Sequence, residues 1–449
     1  VTATLSTVAA HAASPPSFST APTPIVHPVK ILLVNPNRYR HPPVIPIGLE
    51  YLLAAVKRAG HEAMVLDLCF AGNPAAALTD TLEAYRPGIT GITVRQIDTC
   101  LYRDNRFFLS DIRDLVTVCR ATGTPVVLGG AGFSIMPEEV MAYTGAGYGI
   151  RGPGEWALVE LLEGLGGGAS MPAILDGYSS APRTAFEPGR ETFGDYEPYL
   201  VEQGIAGFRT QLGCRGSCFF CTESAKPLLF HAPDSVGREV AALVRDGCDR
   251  FHLCDSEFNQ ELPHCIAVCD AIHRHTGGVD WSLYMKPAPV SAALFDALAR
   301  SGATMITVSI DTLTHGPDTY GRLRTFFATA DERGIRTMVD LSVGYPHESR
   351  ERTSALLDLL ASRPAGTVGV NSFYRIYPGT RLCDQIAGDP SLAPCVLGRP
   401  AGTDLIHPLF FRWFTEEEVD EMTAGRNAFR IEGRDKATNY QRAERLPPG

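Results

Sequence analysis

The hydrophobic pattern begins at residues 30–35, KILLVN, a short uninterrupted apolar run that stops at an Asn-Pro pair. Such a run reads as a buried parallel strand ending in a loop. Residues 47–59 then repeat apolar side chains at helical spacing and stop at Gly60. The alternation returns with strands at 62–68, 88–94, 125–129 and 147–151 and helices at 75–85, 107–121 and 137–143. Strands alternating with helices in this way predict an open, doubly wound, Rossmann-like α/β sheet over residues 29–165, its ligand at the carboxyl ends of the strands. A glycine-rich break at 164–168, followed by a stretch of prolines and glycines, makes 166–199 a linker. Beyond it, strands at 207–212, 250–254, 281–285, 304–309, 336–343 and 367–374 alternate with helices such as 235–245, 289–300 and 349–362. These units predict a partial (β/α)6 barrel over 200–385 rather than a closed eight-unit one. Residues 386–449, with the acidic run after Thr415, read as a helical extension.

Composition narrows the class. At 449 residues the chain is long enough for two or three domains, each with its own core. A hydrophobic content of 45% with 20% charged residues is globular, and no apolar run reaches the ~18–20 residues of a membrane span. The formal charge of −10 argues against nucleic acid as a partner. Residues 1–28 are rich in Ala, Ser, Thr and Pro, contain no Lys or Arg, and read as a disordered tail without an export signal. The 12 cysteines are therefore expected as free thiols or metal ligands in a reducing cytoplasm.

The strongest chemical signal is the run GCRGSCFFC at 213–221, which spaces Cys214, Cys218 and Cys221 just after the first strand of the second unit. Three thiolates can hold three irons of a [4Fe–4S] cluster and leave the fourth open to a small ligand, whereas a structural zinc site wants a fourth protein ligand. No second CxxC follows nearby, although Cys248 and Cys254 are present. Spacing alone leaves both centres open. The motif CxxxCxxC in this position resembles the radical S-adenosylmethionine (SAM) superfamily. The resemblance implies that Cys214, Cys218 and Cys221 carry a catalytic [4Fe–4S] cluster whose open iron chelates the amino and carboxylate groups of SAM. It places Phe220 against the adenine, and Asp255 and Glu257, in HLCDSEFN at 252–259, near the methionyl amine. Ser309 and Asp311, ending the fourth strand, are matched to the ribose or carboxylate, and the turn at 344–346 to the adenine. Tyr374 belongs to YRIYPGT at 374–380, a segment recurrent in cobalamin-type members, and Lys286 faces the same mouth. Cys248, Cys254, Cys265, Cys269 and Cys383 read as small buried side chains.

The first unit lacks GxGxxG after its first strand, lacks GxxxxGK[ST] anywhere, and lacks the paired acids of a receiver. It resembles the cobalamin-binding domain that precedes the barrel in class B radical SAM methylases. The matching residues are Asn35 in VNPN, Arg95 and Gln96 in VRQID (94–98), Gly129, Gly130, Gly132 and Ser134 in LGGAGFS (128–134), and Glu155 in GPGE (152–155). Glycines there let backbone approach the nucleotide tail of a corrinoid. The DxHxxG pattern that supplies a lower imidazole in many cobalamin proteins is absent, and the resemblance puts Arg95 beneath the corrin instead.

By this resemblance the chain is a cobalamin-dependent radical SAM methyltransferase acting on an unactivated carbon of a small-molecule or peptide natural-product precursor. SAM methylates cobalamin, and a second SAM yields a 5′-deoxyadenosyl radical with an electron from a donor such as flavodoxin or ferredoxin. Two other readings stay open. The same cofactors can drive ring formation, rearrangement or hydroxylation, which product mass distinguishes; a non-enzymatic cobalamin or redox sensor would leave SAM intact. His407, Arg412, Trp413 and Phe414 are expected to cap the barrel mouth.

Overall fold

The protein is described by a computed structural model covering residues 27–40, 42–182, 186–187, 189–194, 196–202, 205–313, 319–398 and 405–435. All but the last two residues of the tail expected at 1–28, and the final stretch 436–449 of the extension, lie outside the described residues.

Six parallel strands build the first sheet: β1 (Lys30–Asn35), β2 (Glu62–Asp67), β3 (Ile89–Thr93), β4 (Val126–Gly129), β5 (Tyr148–Arg151) and β6 (Ile174–Asp176). Their order is β2-β1-β3-β4-β5-β6. The apolar run of β1 explains its central place. Ile31 and Leu33 enter one core with helices Ile47–Arg58 and Gly154–Gly166, while Leu32 and Val34 enter the opposite core with helix Leu109–Ala121. The order reverses between β1 and β3, so the loops after these strands diverge and leave a crevice. β6 is a sixth strand, drawn from the stretch read as linker.

The second sheet starts with β7 (Ala206–Phe208) and continues, after the hairpin β8 (Gln211–Cys214) and β9 (Lys226–Phe230), with β10 (Arg250–Leu253), β11 (Asp280–Met285), β12 (Ala303–Asp311), β13 (Arg336–Ser342) and β14 (Val368–Asn371). These are the barrel strands, β7-β10-β11-β12-β13-β14, all parallel. The strand expected over 207–212 is broken, because the Asp255 carboxylate accepts from the backbone N–H of Thr210 at 2.8 Å and of Gln211 at 3.2 Å and takes them out of the ladder. The C-terminal extension supplies helices Arg381–Gly388 and Glu416–Thr423, the latter started by a Thr415–Glu418 capping box. Before, between and after them lie β15 (Tyr374–Arg375), β16 (Val396–Leu397) and β17 (Phe410–Phe411), a small antiparallel sheet, and β18 (Phe429–Ile431), which adds a parallel edge to β14.

The barrel is polar inside. Phe251 and Leu253 of β10, Leu283 and Met285 of β11, Val308 and Ile310 of β12, Val339 and Leu341 of β13 and Val368 and Val370 of β14 all pack in the outer core against the helices. Alternate residues on a strand point oppositely. His252, Cys254, Ser282, Tyr284, Thr307, Ser309, Asp311, Asp340, Ser342 and Asn371 therefore face the lumen.

Buried ion pairs join the two units. Arg190 Nε donates to Glu50 Oε2 at 2.6 Å, and its Nη1 donates to Glu239 at 3.1 Å and to the Gly207 carbonyl at 2.6 Å. Arg209 pairs with Glu155 and lies 3.8 Å from the centre of the Tyr51 ring. On the other flank, Arg375 Nε donates to Asp98 Oδ2 at 2.9 Å, with side chains 2% and 0% exposed. Arg375 also donates to the carbonyls of Leu405 and Ile406 at 2.8 and 3.3 Å. Arg375→Met leaves the Asp98 carboxylate buried and unpaired, and should lower stability by about 3–5 kcal/mol, with partial recovery in Asp98→Leu/Arg375→Met. Urea unfolding of the single and double variants checks this; additive losses would contradict it.

Candidate active site

The cysteine loop springs from a distorted hairpin. Gly213 has φ +84°, and a Cβ there would stand 2.0 Å from the Pro227 carbonyl oxygen, so glycine is required where the β8–β9 register slips before Cys214. The loop then closes on itself: Ser224 Oγ donates to the Cys218 carbonyl at 2.9 Å, and Gly216 N–H to Cys214 Sγ at 3.3 Å. Burial raises the Cys214 thiol and pushes Cys221 up to about 11, so loading metal must expel protons. Among the described residues no three His, Cys, Asp or Glu side chains converge as a single-ion site would need. Three thiols spread along one loop are the donor set of a multi-iron cluster.

Beside this loop, Lys286 Nζ lies 3.6 Å from Cys218 Sγ and 3.5 Å from Glu257 Oε1. Burial works against the ammonium, but Glu257 and the Cys218 thiol outweigh it and raise its pKa. Burial likewise raises Glu257, opposed by Lys286 and a hydrogen bond from Ser309. Glu257 Oε2 is buried with no protein partner, which suits a ligand ammonium. Asp311 also acts on Lys286. Phe220 lies 5.2 Å, ring to ring, from Tyr374, whose hydroxyl donates to the Val343 carbonyl at 2.6 Å. Phe220, Tyr374, Glu257, Ser309 and Asp311 thus gather at the barrel mouth. Asp255 does not point there: both its oxygens are taken by Thr210 and Gln211.

A cavity of about 750 Å³ runs between the two units. One wall comes from the first sheet: Leu33, Leu49, Leu52, Val127, Ile150 and Leu158, then Gly129, Gly130, Ser134 and Glu155 at the strand ends. The other comes from the cysteine loop and barrel: Arg209, Gly213, Thr222, Glu223, Lys226 and Cys254. A Cβ on Gly129 would meet nothing closer than 3.8 Å, so that backbone faces open space. Ser134 Oγ bridges Gly130 and Gly152, accepting from the Gly152 N–H at 2.9 Å. Gly132 instead packs against the Gln96 backbone, 2.9 Å from a built Cβ. Arg95 and Gln96 line a separate hollow of about 20 Å³ with Pro36, Asn37 and Arg38. Asn35 reaches neither space; its side-chain amide donates to Asp67 at 2.7 Å.

Comparison with known proteins settles the class. A B12 binding domain model matches residues 39–162, and a radical SAM superfamily model matches residues 208–360. The chain belongs to the cobalamin-dependent radical SAM enzymes. It is 27% identical to a tryptophan 2-C-methyltransferase from Streptomyces laurentii, over 80% of this chain and 74% of that one. It is also 23% identical to a cytidylyl-2-hydroxyethylphosphonate methyltransferase from Streptomyces wedmorensis, over 63% and 65% of the two chains. Its fold matches the radical SAM methyltransferase TsrM from Kitasatospora setae, determined with cobalamin and a [4Fe–4S] cluster, at a TM-score of 0.80 and 24% identity over 89% and 91% of the chains.

For a cobalamin-dependent radical SAM enzyme, the cavity fits its cofactor on this structure's own terms. The apolar wall suits the flat base of a nucleotide tail, and the bare glycine backbone leaves room for the corrin edge. No histidine lines the cavity among the described residues. Several site residues escaped the sequence reading. Arg209 was taken as part of a strand, though it sits at the break and pairs across the units; Cys254 was expected in the core but opens onto the cavity. Cys248, Cys265 and Cys269 are buried in the barrel core as expected, whereas Cys383 is only partly buried, against the small cluster around Tyr374; all 12 cysteines are free thiols. His407 packs 4.9 Å from Phe107 of the first unit rather than over the barrel, and Phe414 joins the barrel core.

Two outcomes follow from this geometry. Gly129→Leu projects a side chain into the cavity and should lower cobalamin occupancy after reconstitution while leaving the circular dichroism spectrum unchanged; full occupancy would show that the cofactor lies elsewhere. Burial raises the Asp255 carboxyl from 3.8 to about 6 against its bonds to Thr210 and Gln211. The folded state then holds more protons than the unfolded one across that window, so this group's contribution falls as pH rises from about 4 to 6. Unfolding measured from pH 4 to 7 should show wild type losing stability relative to Asp255→Asn; parallel curves would refute the raised carboxyl.

Proposed function

We propose that the chain transfers a methyl group from SAM to a carbon of a small molecule, with an aromatic amino acid such as tryptophan as the first candidate. The observation that supports this reading is a cavity whose walls are the glycine strand ends of the cobalamin domain and the loop bearing Cys214, Cys218 and Cys221. When bound, cobalamin supplies a methyl carrier and the cluster supplies one-electron chemistry on SAM.

The chain's own residues position and enclose. Cys214, Cys218 and Cys221 hold the cluster. Glu257 Oε2 takes the ammonium of SAM, and Lys286, pinned between Glu257 and Cys218, sets a positive charge beside the cysteine loop. Phe220 and Tyr374 offer an aromatic face for the adenine. Gly129, Gly130 and Ser134 cradle cobalamin, and the Arg209–Glu155 pair closes the seam so that water is displaced from the space between the cofactors. Electrons come from an external donor of the flavodoxin or ferredoxin kind.

Anaerobic protein loaded with iron, sulfide, cobalamin and SAM, and supplied with reduced flavodoxin, should convert tryptophan or a close relative to a product heavier by one CH₂, with S-adenosylhomocysteine released. The Cys214→Ala/Cys218→Ala/Cys221→Ala variant should bind no cluster and give neither product. A fully loaded enzyme that leaves SAM intact across a panel of aromatic amino acids would overturn the reading.

A further inference from the structure

The cavity between the two units has one end that lies inside the first unit, between its sheet and the helices Ile47–Arg58 and Gly154–Gly166. Leu33, Gly91 and Val127 stand side by side there, one row across β1, β3 and β4. Leu49 and Leu52 of the first helix and Leu158 of the second complete the lining.

Gly91 makes this row a notch. A Cβ on it would stand 3.0 Å from Leu33 Cδ2 and 3.7 Å from Val127 Cγ1, so even a methyl group would fill the dip between those two side chains. The position is an ordinary strand residue without a positive φ, so backbone conformation does not call for glycine. A glycine inside a strand weakens it, and one recurring use is close approach of a ligand.

The surroundings of the notch are dry. Leu33 is 1% exposed, Leu158 2%, and Val127 and Leu49 3% each. The three strands are each flanked by neighbours on both sides, so the backbone groups of the row belong to the ladders. Polar side chains of the cavity stand farther out, at strand ends or on the barrel wall. Ser134 there is held by Gly130 and Gly152, and Glu155 by Arg209. A flat group that reaches the notch therefore exchanges water for methyl groups and finds no hydrogen-bond partner. Dimethylbenzimidazole, with two methyl groups and one free ring nitrogen, loses little by that exchange. Adenine would bring an exocyclic amine and several ring nitrogens, each desolvated without compensation.

We propose that this slot takes the base at the end of the corrinoid's nucleotide tail, with Gly91 as its floor, and selects dimethylbenzimidazole over adenine. Choice among corrinoids goes beyond the methyltransferase reading and is measured without turnover, so either can fail alone.

For the test, protein carrying its cluster is dialysed anaerobically against an equimolar mixture of cobalamin and its adenine-tailed counterpart, and the bound corrinoids are counted by mass. Cobalamin should be favoured about tenfold or more. Gly91→Ala and Leu52→Phe fill the slot from the sheet and from the helix. Each should weaken cobalamin binding about tenfold and leave unchanged the binding of cobinamide, which lacks the nucleotide tail. Circular dichroism checks that each variant is folded, and the helix variant probes the same space without touching the sheet. Equal loading of the two corrinoids by wild type overturns the proposal. So does cobalamin binding unchanged in both folded variants, or cobinamide binding weakened in both as much as cobalamin.

Discussion

The structure depends on charge buried between two sheets. Each unit closes its own apolar core, yet the cofactor cavity exists only where the carboxyl ends of the first sheet face the mouth of the barrel. Arg190 with Glu50 and Glu239, Arg209 with Glu155, and Arg375 with Asp98 fix that facing at separate flanks. A buried ion pair adds little net stability against an apolar substitute, but a slipped one leaves charge stranded at several kcal/mol. Register, rather than adhesion, is what these pairs provide. The third pair shows why this matters to the site: Arg375 begins where β15 leaves the barrel, and Asp98 lies in the loop after β3 that carries Arg95 and Gln96.

Within the barrel the ordinary distribution of polarity is reversed on one face. Strands such as β12 alternate Val308 and Ile310 outward with Thr307, Ser309 and Asp311 inward, so the helices cover the apolar face and the lumen is left to ligands. A lumen of this kind is costly when empty. Glu257 shows it, its carboxyl raised by loss of water even with the Lys286 ammonium 3.5 Å away. Ligands that carry positive charge relieve the strain.

Much of this was legible in the sequence, for identifiable reasons. KILLVN became β1 at its expected ends because continuous apolar side chains followed by Asn-Pro allow little else, and the cysteine triplet pointed to a cluster once its spacing was joined to its place after the first barrel strand. Gly129 opens onto the cavity as expected of bare backbone beside a strand end, whereas Gly130, at φ +102°, is needed because a side chain there would meet the Val94 carbonyl. What failed to show was pairing at long range. Asp255 looked like a ligand of SAM, since a carboxylate at a strand end in this family often is one; only the fold reveals that Thr210, 45 residues earlier, occupies it. Gly132 looked like room for a cofactor and proved to be room for the Gln96 backbone.

Arg209 joins these themes. It sits where Asp255 breaks the first barrel strand, one residue before the backbone turns toward the cysteine loop, and its guanidinium pairs with Glu155 at the glycine-rich end of the first sheet. Moving Glu155 therefore moves the start of the loop that holds the cluster, and the cavity between them takes one wall from each unit. A cavity walled in this way ties the separation of two cofactors to one ion pair and one hydrogen-bonded turn. Precision at the reacting centre is then set by side chains that touch no reacting atom, which is why a break in an otherwise regular strand stands at the point of greatest functional consequence.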